Sequence, residues 1–159
     1  MTTTYRFPSR AFAPAVLAAS ALVLATPAVH AQAADSPVGL WKNIDDQTQK
    51  PKALIRITEK DGVISGRIEK ILTDRPDAVC DKCTDSRKDQ PVQGMTIIEG
   101  IRRNADDATL FDGGEILDPN NGKVYRSRMR LTEGGKKLEV RGYIGAPLFG
   151  RTQTWIREE

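Results

Sequence analysis

Histidine is the scarcest functional residue in this chain of 159: there is one, His30, and none follows it. Downstream of that position, Ser-His and Cys-His catalysis and most zinc or copper sites are therefore excluded. Cysteine is nearly as rare, with only Cys80 and Cys83. Aromatic side chains make up 6% of the residues, and beyond residue 31 only Trp41, Phe111, Tyr125, Tyr143, Phe149 and Trp155 remain. A clear excess of one charge is also missing. The 24 Lys and Arg face 21 Asp and Glu, and two of the basic residues, Arg6 and Arg10, lie at the extreme N-terminus. That balance does not suit a nucleic-acid-binding face, which needs clustered Lys and Arg. No amphipathic helix is evident.

The one long apolar stretch is informative. Arg6 and Arg10 precede the run from Ala11 to Ala25, which Thr26-Pro27 and Val29-His30-Ala31 follow. A basic head, a short apolar core and small residues at the −3 and −1 positions are the marks of a secretory signal peptide. Cleavage after Ala31 fits best, with Ala33 the second choice. Pro14 and Pro27 bracket a core too short to span a bilayer comfortably, so the protein is expected to be periplasmic or secreted and not membrane-spanning. No Cys lies near the cleavage site to accept a lipid. The mature chain would hold 128 residues: a mobile segment at 32–37 and one domain at 38–159. That length can bury a core without several disulfides.

Within the domain, a period of two dominates. Strands are expected from Gly39 to Ile44, Ala53 to Thr58 and Val63 to Leu72, with Asp61-Gly62 as a tight hairpin turn. Thr73 to Gln93 reads as a long polar loop, of a length more often functional or disordered than incidental. Met95 to Arg102 is a strand with a bend at Gly100. Leu110-Phe111 and Glu115–Leu117 form a short broken strand. Asp118 to Lys123 is a hairpin loop, which sets Glu115 opposite Arg126, Ile116 opposite Tyr125 and Asp118 opposite Lys123. Lys123 to Leu131 alternates cleanly: Tyr125, Ser127, Met129 and Leu131 on one face, Arg126, Arg128 and Arg130 on the other. The next turn pairs Leu131 with Leu138, Met129 with Val140 and Arg130 with Glu139, like with like and charge with opposite charge. After Leu138 to Ile144, the corner Gly145–Gly150 leads into a last strand at Arg151–Arg157. About eight strands joined by neighbouring hairpins predict an all-β, antiparallel, up-and-down barrel.

Several motifs occur together: GLWKNIDDQTQKPKALIRI at 39–57, VCDKC with TDSRKDQP at 79–91, GGEILDPNNGKVY at 113–125 and LEVRGYIGAPLFGRTQTWIR at 138–157. In these the chain resembles the exported bacterial domain-of-unknown-function family 2147 over essentially the whole mature length. The resemblance implies an exported, calycin-like (lipocalin-like) barrel and no established biochemical activity. Gly39-x-Trp41 with a late basic residue also resembles the lipocalin pattern, in which a first-strand Trp packs beneath a last-strand Arg or Lys and seals one end. Trp41 with Arg157, or with Arg151, would play that part here.

Cys80 and Cys83, in an exported protein, are expected to form a disulfide that pins the long loop; thiol exchange and metal handling are the alternatives. The acids Asp77, Asp81 and Asp85 nearby oppose a reactive thiolate. The three arginines of 126–130 are either an anion-binding face or a solvated outer wall. A ligand site would draw on Tyr125, Arg141, Tyr143, Phe149, Arg151 and Trp155, although Tyr125 and the Arg141–Tyr143 pair fall on opposite faces. The expected function is a monomeric, non-catalytic binding module, without metal or cofactor, for a small apolar or amphipathic ligand. Such a module predicts a continuous internal cavity lined by Ile55, Ile57, Ile64, Ile68 and Val140. A structural or protein-interaction domain with a filled barrel is the alternative.

Overall fold

The computed structural model describes residues 1–4 and 35–159. The apolar run of the expected signal peptide, its two expected cleavage points and residues 32–34 lie outside them. Eight strands follow in order: β1 (Gly39–Ile44), β2 (Pro51–Lys60), β3 (Val63–Ile71), β4 (Thr96–Arg103), β5 (Leu110–Asp118), β6 (Lys123–Thr132), β7 (Lys137–Tyr143) and β8 (Gly150–Arg157). Each pairs antiparallel with the next, and β8 pairs with β1 to close the barrel. Closure leaves no unpaired strand edge, the usual hazard of an open sheet.

Local chemistry accounts for most of this. Asp61 and Gly62 both take positive φ (53° and 73°), as a two-residue turn between β2 and β3 requires. Asp118 accepts hydrogen bonds from the Asn120 backbone N–H and from the Asn120 and Asn121 side-chain amides, and so shapes the β5–β6 loop. The registers on either side of β6 are those the sequence predicts, from Glu115 opposite Arg126 to Leu131 opposite Leu138.

β5 departs from expectation. It is one continuous strand of nine residues, not two fragments. An extra residue is absorbed between Phe111, opposite Met129, and Gly114, opposite Ser127. Gly113 makes this bulge possible with φ 80°. The pair Ile98–Ile116 then faces inward, so the neighbouring pair Ile97 and Leu117 faces outward.

Those two outward side chains are nevertheless buried, because the β3–β4 loop packs over them. Cys80, Cys83, Met95, Ile97 and Leu117 belong to the apolar cluster, with Val92 packed against it. The loop is held by its own backbone bonds, Cys80 to Gln90 (2.9 Å) and Val92 to Ala78 (2.8 Å). It also presses so closely on the β5–β6 loop that a Cβ on Gly122 would collide with the Lys82 carbonyl. What reads in sequence as an irregular polar segment is thus a second layer on the barrel wall.

Candidate functional site

The two ends of the barrel differ. At one end lie the chain termini of the domain and the short β2–β3, β4–β5 and β6–β7 turns. Here Trp41 is completely buried and the Arg157 guanidinium stacks 4.2 Å from the centre of its ring. Arg157 also donates to the carbonyls of Gly135 (2.6 Å), Ser36 (2.7 Å) and Val38 (2.9 Å). Burial lowers its pKa from the usual arginine value. The Trp41 indole N–H donates to the Pro37 carbonyl at 2.7 Å. Residues 36 and 37 are therefore tied to the barrel, and Pro37 is buried. Of the two basic candidates, Arg157 caps Trp41; Arg151 sits at the opposite end, ion-paired with Asp46 (Nε–Oδ2 2.7 Å), and its hydrogen bond holds the Asp46 carboxyl below the usual range.

Between the ends, the expected deep cavity is replaced by side chains. Ile55, Ile57, Ile64, Ile68 and Val140 are 0–5% exposed and pack in one cluster with Trp41, Phe111, Met129, Leu138 and Trp155. Two hollows among the described residues lie on the outside of the wall, one along the 85–99 segment and one over β6–β8. A short barrel with few aromatics fills itself.

The other end carries the longer loops, 45–50, 72–95, 119–122 and 144–149, and polar side chains join apolar ones on its inner face. Asn43, two residues beyond Trp41, is buried and donates to Gln153 Oε1 at 2.9 Å; the Trp155 indole N–H shares that acceptor at 3.4 Å. Ser127 is fully buried on the inner face of β6, and its hydroxyl has no hydrogen-bond partner. It lies between Gly114 on β5 and Gly142 on β7. Tyr125, half-buried one step nearer the opening, accepts from Asn121 Nδ2 at 3.1 Å.

The six ligand candidates named from sequence do not converge. Tyr125 and Arg151 stand at the open end. Trp155 is a core residue, 1% exposed. Arg141 and Tyr143 point away from the interior, and Arg141 spends its donors on Pro147, Leu148 and Thr152. Phe149 projects into solvent from a 3-10 turn, Pro147–Phe149. Asn43 and Gln153 are not among those six candidates. Their signal was available: each lies two residues from a core Trp, hence on the same face. Cys80 and Cys83 are joined as a disulfide and buried. No cluster of three metal-ligating side chains occurs among the described residues.

A closed, eight-stranded, up-and-down barrel with one end sealed by Trp41 and Arg157 places the chain in the class of closed antiparallel β-barrels with a lipocalin-like fold. Consistent with that class, it is similar to a solved protein from the human pathogen Helicobacter pylori described as belonging to the lipocalin family. The TM-score is 0.66 and the identity 15%, covering 77% of this chain and 82% of the other. The chain belongs to the family "Uncharacterized protein conserved in bacteria (DUF2147)", whose model matches residues 39–157. Among curated proteins, no sequence matches it.

Proposed function

We propose that this protein is an exported, non-catalytic binding module that holds a small amphipathic ligand at the open end of its barrel. The observation that carries the reading is the Ser127 hydroxyl, fully buried beneath that end with no partner. A buried orphan hydroxyl costs roughly 1–3 kcal/mol and is expected to meet a ligand or an ordered water. Asn43 and Gln153 add amide groups on β1 and β8, and half-buried Ile116 and Tyr125 add apolar surface on the strands that hold Ser127 and its neighbour Gly114. The filled interior limits the ligand to a size that fits the opening, and a purely apolar guest would leave the Ser127 hydroxyl unmatched.

Native mass spectrometry of protein purified from its own host tests this, with Ser127→Ala as the companion variant. A retained small molecule that the variant loses, at unchanged or increased thermal stability, is the expected result. Absence of any bound molecule, or equal retention by the variant, would overturn it.

The filled barrel favours a second reading, a protein-interaction domain presenting the disulfide-pinned loop. A protein partner recovered without any small molecule would select that one. Thiol exchange through Cys80 and Cys83 has no exposed sulfur to act through.

A further inference from the structure

We propose that the β6–β8 flank of the open end docks on the surface of an anionic phospholipid bilayer, a proposal that does not rest on the ligand reading. Three large apolar side chains stand free at the β7–β8 corner: Ile144 is 67% exposed, Leu148 80% and Phe149 79%. Exposed apolar residues in one cluster, unlike scattered ones, mark a contact surface. This corner is also held in shape. Phe149 N–H donates to the Ala146 carbonyl at 3.1 Å. Arg141 donates to the carbonyls of Pro147 (2.7 Å) and Leu148 (3.1 Å) and to Thr152 Oγ1 (2.7 Å). A corner braced in this way keeps its apolar tip in water instead of folding it over the barrel mouth.

The charge beneath that tip is graded. On the outer wall, Tyr143 lies opposite Arg126, Arg141 opposite Arg128, and Glu139 opposite Arg130. Arg130 is paired with Asp107 at 2.7 Å. Among the described residues, Arg126, Arg128 and Arg141 have no carboxylate within ion-pair distance, although Glu115 lies opposite Arg126 in register. Arg128 and Arg141 face each other directly and, with Thr152, line a shallow hollow that Glu139 also borders. Like charges directly opposite on neighbouring strands destabilise a sheet, so an anion between them would relieve a cost the free protein bears.

Spacing selects the partner. Two residues along a strand advance about 7 Å, so Arg126, level with Tyr143, lies within one such step of Ile144 at the tip, and Arg128, level with Arg141, lies between one and two. A tip sunk roughly 5–10 Å into the headgroup–acyl boundary places those guanidinium groups at the level of the lipid phosphates. Tyr143, next to the tip and level with Arg126, is the residue type that favours that boundary.

Sedimentation of the mature protein with vesicles tests the proposal, using phosphatidylethanolamine mixed with phosphatidylglycerol against phosphatidylcholine alone. Binding to the anionic vesicles is expected, weakening as salt rises. Each arginine near the surface contributes roughly fivefold in partitioning, so Arg126→Gln with Arg128→Gln should weaken it about 25-fold. Leu148→Ser with Phe149→Ser should weaken it at least about tenfold through lost apolar burial. All four positions lie on the outer surface, and circular dichroism checks that the fold persists. No binding, equal binding to both lipid compositions, or undiminished binding by either double variant would overturn the proposal.

Discussion

Arg157→Ala removes the group that closes the sealed end of the barrel, and its cost can be worked from the contacts it makes. The stacked guanidinium, 4.2 Å from the Trp41 ring centre, is partly desolvated and contributes about 1 kcal/mol, mid-range for a cation–π pair. Its bonds to Gly135, Ser36 and Val38 would each count for about 1 kcal/mol. The exposed Val38 carbonyl regains water in the variant and the part-buried Ser36 and Gly135 carbonyls do so in part, which reduces the three to about 1.5 kcal/mol together. The lost stem packing over the indole adds about 0.5 kcal/mol. The sum is about 3 kcal/mol, or roughly 12 °C in Tm for a domain of this size. Arg157→Lys keeps the charge but loses the planar fork, and should recover about a third of that. Urea unfolding followed by tryptophan fluorescence, with thermal melts by circular dichroism, gives the comparison. A loss below about 1 kcal/mol for alanine, or a lysine variant as stable as the parent, would refute the assigned role; such a result would mean that water and backbone close the end by themselves.

Two further outcomes follow from the loop and from the carboxylates. Breaking the Cys80–Cys83 bridge with a double Ser variant should lower stability by at most about 2 kcal/mol, because the closed loop is very short; limited proteolysis should then cut within residues 73–94, and an unchanged digest would show that the loop stays docked without it. Asp107 has its pKa lowered to about 2, first by the Thr109 hydroxyl and then by Arg130. A depressed carboxyl contributes stability above the unfolded pKa near 4 and loses it as the pH falls toward 2, so Tm should drop across that window and drop less in Asp107→Asn. An equally steep drop in the variant would rule Asp107 out as a source.

The parts of the fold legible in sequence are those set by neighbours along the chain. The β5–β6 and β6–β7 registers follow from turn length and from a period of two, and both are observed. β5 was harder to read because the Gly113 bulge interrupts its alternation, so Phe111 and Gly114 share the inner face although they are three residues apart. The open end was legible only in part. Alternation puts Tyr125 and Ser127 on one face with Met129 and Leu131, whereas Asn43 and Gln153 read as ordinary strand residues. Their meeting depends on β1 lying beside β8.

The amino-acid sequence by itself determined the strands, their faces and the hairpins, because turn chemistry and side-chain alternation act over a few residues. Tertiary structure decided the rest. The seal of Arg157 on Trp41 joins positions 116 residues apart and exists only because the sheet closes. Whether the interior holds a cavity depended on how the volumes of isoleucines and tryptophans from all around the barrel add up, and they fill it. The long β3–β4 loop became a wall layer only when Ile97 and Leu117 were turned outward to meet it. The apolar corner and the arginine tier likewise became one surface only when β6, β7 and β8 were laid side by side. Hairpin geometry is a local property; closure, filling and surface chemistry are sums over strands distant in the chain.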